Sequence, residues 1–154
     1  MIFDLYVTQE RTCKMICGID IKSNEAIIVL CDTSKEMLAV SESKFKKIAL
    51  DSNEQDLYKS FYETLLSFIK QYTVEKIYLK KPVDKGRQTA GANAFRIEAI
   101  INLIEIPVVS LHANTLLSFS KKNKLNVENI EKVNQYQLAA LWAAYWGFIK
   151  EEDW

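Results

Sequence analysis

One carboxylate in this sequence draws attention by its position. Asp20 lies within the stretch Ile16 to Asp32, ICGIDIKSNEAIIVLCD. There Ile16, Ile19 and Ile21, and then Ala26 to Leu30, are apolar runs of strand length joined by a Ser23-Asn24 turn. A carboxylate in the middle of a first, central strand must be solvated, hydrogen-bonded or turned toward a site, because burying it unpaired costs on the order of several kcal/mol. A second group of candidates is basic. Lys80, Lys81, Lys85 and Arg87 stand against a single Asp84 in the segment before Gly91-Ala92-Asn93, where a helix is expected to start. Cations beside the free N–H groups of a helix N-terminus form an anion site; the competing reading is a solvated loop. Gly86 and Gly91 are followed by Ala92-Asn93, not by the Lys and Ser or Thr that a nucleotide-binding P-loop, GxxxxGK[ST], requires.

Other residue types offer less chemistry. Cys13, Cys17 and Cys31 form no CxxC pair, and Cys17 and Cys31 lie within apolar strands, where a thiol acts as a small hydrophobe. His112 is the single histidine, which argues against a His-rich metal site. It follows a strand, but without a signature partner it reads as structural. Glu98 reads as a surface carboxylate. Twenty basic and twenty acidic side chains cancel, so strong nucleic-acid binding over the whole surface is not expected, although a local basic patch is compatible with the balance. No apolar run approaches the ~18 residues of a membrane span, and the N-terminus lacks a basic start followed by an apolar core. A cytoplasmic location is expected.

The elements that must position these residues follow from periodicity. The chain has 154 residues, 49% of them apolar, with four Gly and two Pro, as expected of a single domain with a real core. Residues 1–14 read as an N-terminal extension and 15–154 as the domain. After the hairpin, Met37 to Val40 is a short apolar island and Lys44 to Leu50 a third strand. Ser52 and Gln55 have capping-box spacing, and Leu57, Phe61, Leu65, Phe68, Ile69 and Tyr72 form one stripe of a helix. Glu75 to Leu79, a helix from Ala92 to Ile104 and Ile106 to Leu111 form a βαβ unit, whose strands should be parallel. A short helix capped by Asn114 or Thr115 and a closing helix from Ile130 to Ile149 complete a mixed α/β sheet with helices on its faces.

This order of elements resembles that of the ribonuclease H-like superfamily, in particular RuvC-type resolvases and, in closer detail, the bacterial domain-of-unknown-function family 3010. The resemblance is carried by CGIDIKSNEAIIVLC at 17–31 and by the K-G-x-x-x-x-G-A-x-x-F-R-I-E-A pattern from Lys85 to Ala99. It implies hydrolysis of phosphodiesters by two metal ions held by acids from the first strand, the end of the fourth strand and the last helix. Asp20 matches the first. The fourth-strand position falls at Lys80 or Lys81, and the last-helix signature falls on Asn134-Gln135-Tyr136-Gln137-Leu138-Ala139, where both acids become amides. Amides are poor Mg²⁺ ligands and a lysine repels the ion.

The expectation is therefore a ribonuclease H/RuvC-like fold with a degenerate site, no cofactor, and a non-catalytic role in binding nucleic acid or protein. In it Asp20 is a remnant paired with Lys80 or Lys81, and Lys80, Lys81, Lys85 and Arg87 form an anion-binding segment. Two alternatives stand beside it. One is a Mg-dependent nuclease or Holliday-junction-resolvase-like enzyme using Asp20. The other is a structural homodimer through the last helix, whose Trp142, Tyr145, Trp146 and Phe148 exceed one buried stripe.

Overall fold

A computed structural model describes residues 14–50, 54–83 and 91–151 of the chain. The hairpin forms as expected: β1 (Met15–Lys22) and β2 (Glu25–Asp32) pair antiparallel in register from Met15 opposite Asp32 to Lys22 opposite Glu25. Ser23 turns the chain with a left-handed φ of 53°. Each strand is buried at six consecutive positions, because both faces of the sheet are covered.

The third strand is broken in two. β3 (Leu38–Val40) pairs with the far end of β2 and β4 (Lys47–Ala49) with its start, both antiparallel. The expected strand from Lys44 thus contracts to three residues, and the apolar island becomes a strand of its own. Between the two, Ile28 donates its N–H to Lys46 O at 2.8 Å, and Ser41 donates to Leu30 O at 2.9 Å.

Helix α1 (Gln55–Tyr72) follows, burying Phe61, Leu65, Phe68 and Ile69, while Leu57 at its start is exposed. Ser52 of the expected capping box is outside the described residues, and Glu54 occupies the cap without a side-chain bond. Thr73 closes α1 in the left-handed conformation at φ 52°, and the chain enters β5 (Val74–Lys80) at once. β5 runs parallel to β1, and α2 (Ala92–Ile101) leads to β6 (Val108–Leu111), parallel to β5. The sheet order is β6-β5-β1-β2-β3, with a two-residue strand β7 (Val127–Glu128) added parallel to β3.

The last third of the chain departs most from the sequence reading. α3 (Ala113–Lys122) is capped by His112, not by Asn114 or Thr115. The closing helix is interrupted. Short 3₁₀ turns at Ile130–Lys132 and Gln135–Gln137 precede α4, which spans Leu138–Lys150. Asn129 at φ 62° and the extended Val133 and Asn134 prevent one continuous helix.

Two cores flank the sheet. α1 and α2 cover the face carrying Cys17, Ile19 and Ile21, and α3 and α4 cover the face carrying Ile16, Val29 and Tyr78. The second contact is close. A methyl on Gly18 would overlap Ala140 O, and one on Gly147 would overlap the Tyr78 ring. The helix can lie this near the strands because Ala140, Ala143, Ala144 and Gly147 present no larger side chain. Beyond that contact, Tyr78 Oη and Lys76 Nζ both bond Glu151, tying the end of α4 to β5.

Candidate functional site

Strand register decides which residues meet Asp20. Along β1, alternation places Ile16, Gly18, Asp20 and Lys22 on the face covered by α4. Asp20 is opposite Lys80 of β5 on one side and Ile27 of β2 on the other, and Ile27 is opposite Lys47 of β4. One row, Lys80–Asp20–Ile27–Lys47, therefore crosses four strands on a single face. Two residues further along, Lys22 is opposite Glu25.

The row sits near the end of the helix that covers this face. Ala140 packs over Gly18, one side-chain step before Asp20, and α4 begins two residues earlier at Leu138. Asp20 is only 3% exposed. Its Oδ2 is buried and has no hydrogen-bond partner among the described residues, and Lys22 Nζ lies 3.9 Å from it. Burial pushes the carboxyl above the ordinary carboxylate range, against the opposing pull of Lys80, then of Lys22, and of the Ile21 N–H. Lys80 acts more strongly than Lys22 because it is half-buried, whereas the Lys22 side chain is 57% exposed and screened by water.

The expected pairing of Asp20 with Lys80 or Lys81 thus takes a different form. Lys80 is the register neighbour and the stronger field, Lys22 makes the ion pair, and Lys81 lies one residue on, where alternation assigns it to the other face. Lys81 extends the parallel ladder by donating its N–H to Leu111 O at 2.8 Å. Lys85 and Arg87 lie outside the described residues. Lys22 escapes the sequence reading although the signal is present, two positions from Asp20 on a strand and so on the same face. Lys47 is visible as a partner only once β4 is placed.

The amides of the last-helix signature have structural occupations. Gln137 is 4% exposed. Its Nε2 donates to Ile28 O at 2.9 Å, and its Oε1 accepts the Asn134 N–H at 3.0 Å and Asn134 Nδ2 at 3.2 Å. Ile28 directs its N–H toward Lys46, so its carbonyl faces the same gap between β3 and β4. Gln137 supplies the donor that the broken strand cannot. Asn134-x-x-Gln137 is also capping-box spacing, with Gln137 reaching back to the Asn134 N–H. That spacing is readable in the sequence.

Two other residues stand apart from Asp20. Glu98 is on α2, which packs on the opposite face; it is half-buried, not a surface carboxylate, and its Oε2 has no partner among the described residues. His112 is exposed at the start of α3. Cys17 and Cys31 are buried free thiols in different cores, and burial pushes both well above the usual thiol range. The large aromatics of α4 pack inward: Trp142 and Tyr145 meet Phe119, and Trp146 meets Tyr78. Tyr145 and Phe148 are part of the core, and Trp142 and Trp146 are partly buried against it.

These residues do not fit a pair of divalent ions. Hard cations need several carboxylate or carbonyl oxygens at roughly 2.0–2.6 Å. Here one carboxylate stands between two ammonium groups, and the Gln137 oxygen is already taken by Asn134. Among the described residues, no three His, Cys, Asp or Glu side chains gather into a group that could hold an ion. The cavity of about 160 Å³ beside Lys80 is lined by Ala113, Leu116, Leu117, Ser120, Ala139 and Trp142, and its side chains offer no carboxylate. No helix among the described residues is long and apolar enough to cross a membrane.

Comparison with known proteins adds the family and the fold. Residues 14–147 match the family model described as "Protein of unknown function (DUF3010)". No curated protein matches the chain. Among solved structures, the chain is similar to RuvC of T. thermophilus in complex with a Holliday junction substrate, at TM-score 0.64 and 8% identity, over 91% of this chain and 96% of that one. A second structure of Thermus thermophilus RuvC aligns at TM-score 0.61 and 8% identity, over 88% and 95%. The yeast mitochondrial Holliday junction resolvase Ydc2 aligns at TM-score 0.55 and 9% identity, over 89% and 82%. At such identities the likeness is one of fold, and the fold is that of RuvC, the ribonuclease H-like arrangement.

Proposed function

Since the chain belongs to the DUF3010 family and carries the RuvC-like fold, we propose that it is a non-catalytic relative of the resolvases that binds nucleic acid on the face where a nuclease would cut. The observation that carries this reading is the row Lys80–Asp20–Ile27–Lys47 with Lys22 beside it. Lys22, Lys47 and Lys80 share this face with two carboxylates, Asp20 and Glu25, which leaves one ammonium in excess, a balance suited to phosphate oxygens and opposed to metal ions. Lys81, Lys85 and Arg87, which follow Lys80 in sequence, are proposed as further phosphate contacts by their sequence position alone. The fold relative whose structure holds a Holliday junction supports DNA as a ligand class.

The test is fluorescence anisotropy with labelled DNA at several salt concentrations. Salt-sensitive binding is expected, weakening when Lys22, Lys47 and Lys80 are replaced together by Ala. Equal affinity of the triple variant and the wild type would remove the lysine row from the interface, and no binding at low salt would end the proposal.

A further inference from the structure

At the Lys47 end of the row the charged track meets an aromatic ring. Tyr136 lies in the 3₁₀ turn Gln135–Gln137 that leads into α4, between the two amides that replace the acids of the resolvase signature. Its neighbours are fixed. Gln137 is anchored to β2, and Asn134 is anchored to Gln137. Tyr136 itself is 38% exposed, unlike Tyr78 and Tyr145, which are buried in the core on this face.

Lys47 Nζ stands 5.3 Å from the centre of the Tyr136 ring and 3.6 Å from Glu25 Oε2. Lys47 covers one face of the ring, but its side chain is more than half exposed and able to swing to a phosphate, which would uncover that π-face for a base. Exposed aromatic rings beside cations are what proteins use to hold single-stranded nucleic acid: bases stack on the ring and phosphates follow the positive groove. In a duplex the bases are already stacked and paired, so the same ring gains little. From Lys80 to Lys47 the row spans three strand spacings, about 14 Å. Asp20 and Ile27 in its middle are buried, at 3% and 4% exposure, so a phosphate backbone would meet the lysine side chains above the sheet, and the phosphate reaching Lys47 would bring a base to the ring.

We infer that Tyr136 is a stacking platform for an unpaired base of single-stranded nucleic acid whose phosphates lie along Lys80, Lys22 and Lys47. The inference rests on the proposed reading of the lysines as a phosphate track and adds the form of the ligand. The rigid support of the turn serves it, since Gln137 and Asn134 hold the backbone while the ring stays open.

The experiment compares a labelled oligothymidylate with a labelled duplex of the same length, using wild-type protein and the Tyr136→Ala, Tyr136→Phe and Tyr136→Trp variants. Loss of a stacking contact lowers affinity about tenfold. The inference expects that loss for Tyr136→Ala on the single strand, retention by Phe and Trp, and little change on the duplex. Photocrosslinking of an oligonucleotide carrying bromouracil should map to Tyr136. Binding lowered equally for both ligands, with no crosslink at the ring, would show a merely structural role and overturn the platform. Single-strand binding by Tyr136→Ala equal to that of wild type overturns it too, while leaving the lysine row intact. Absence of all binding by the wild type overturns both.

Discussion

Replacing Gln137 by Glu tests whether the amide is a structural strut. The change keeps length and shape, and the new carboxylate can still accept the Asn134 N–H. It removes the Nε2 donor that satisfies Ile28 O across the break between β3 and β4. Leaving that buried carbonyl unpaired costs about 1–3 kcal/mol, and a buried carboxylate oxygen facing it adds desolvation and repulsion, for a total of about 3 kcal/mol near neutral pH. For a domain of this size that lowers the melting temperature by roughly 6–12 °C. The effect depends on pH. When the introduced carboxyl of the Gln137→Glu variant is protonated, its O–H can donate to Ile28 O in place of the lost amide. The folded-state pKa of that carboxyl is then raised above its unfolded value of about 4.3. The variant therefore recovers toward wild type below about pH 4 and loses stability as pH rises through the raised value. Calorimetric melts of both proteins across this range provide the measurement. Equal melting temperatures throughout, or a deficit that grows as pH falls, would refute the strut.

Asp20→Asn should stabilise the protein at neutral pH. Burial raises the folded carboxyl above its unfolded value, so ionised Asp20 is a liability whose advantage as a neutral acid is full below about pH 3.9 and lost as pH rises through the raised value. The gain of the Asn variant over wild type should vanish in acid, and a gain that increases in acid would mean that the two lysines overcome the burial. For the lysine row, each ammonium engaged with a single strand contributes about 0.7 to the slope of log affinity against log salt, so the triple variant should flatten that slope by about 2. A parallel line would show that the three lysines touch no phosphate.

The central hairpin, the parallel βαβ unit and the place of Asp20 are legible in the sequence because each follows from local alternation and from the handedness of crossovers. The opposition of Asp20 and Lys80 follows once β1 and β5 are recognised as neighbours. The split third strand is not legible. Leu38–Val40 and Lys47–Ala49 are three residues each, too short for periodicity, and what holds the gap open is a bond from Gln137, 109 residues from Ile28. The two-residue β7 leaves no pattern at all. Treating Asn134 and Gln137 as replaced ligands follows from a resemblance that directs attention to lost acids. Their local spacing already names a second occupation, a cap, and the two descriptions concern the same atoms. Tyr136 beside Lys47 is a contact between distant segments and has no sequence signal.

A carboxylate flanked by Lys22 and Lys80 is not expected to run metal-dependent phosphodiester cleavage. Incubating the protein with labelled four-way junction, duplex and single-stranded DNA, in Mg²⁺ and separately in Mn²⁺, tests this directly by gel. The strands should stay intact in both metals at protein concentrations that saturate binding. Cleavage that appears with either ion and disappears in Asp20→Asn would contradict a non-catalytic site.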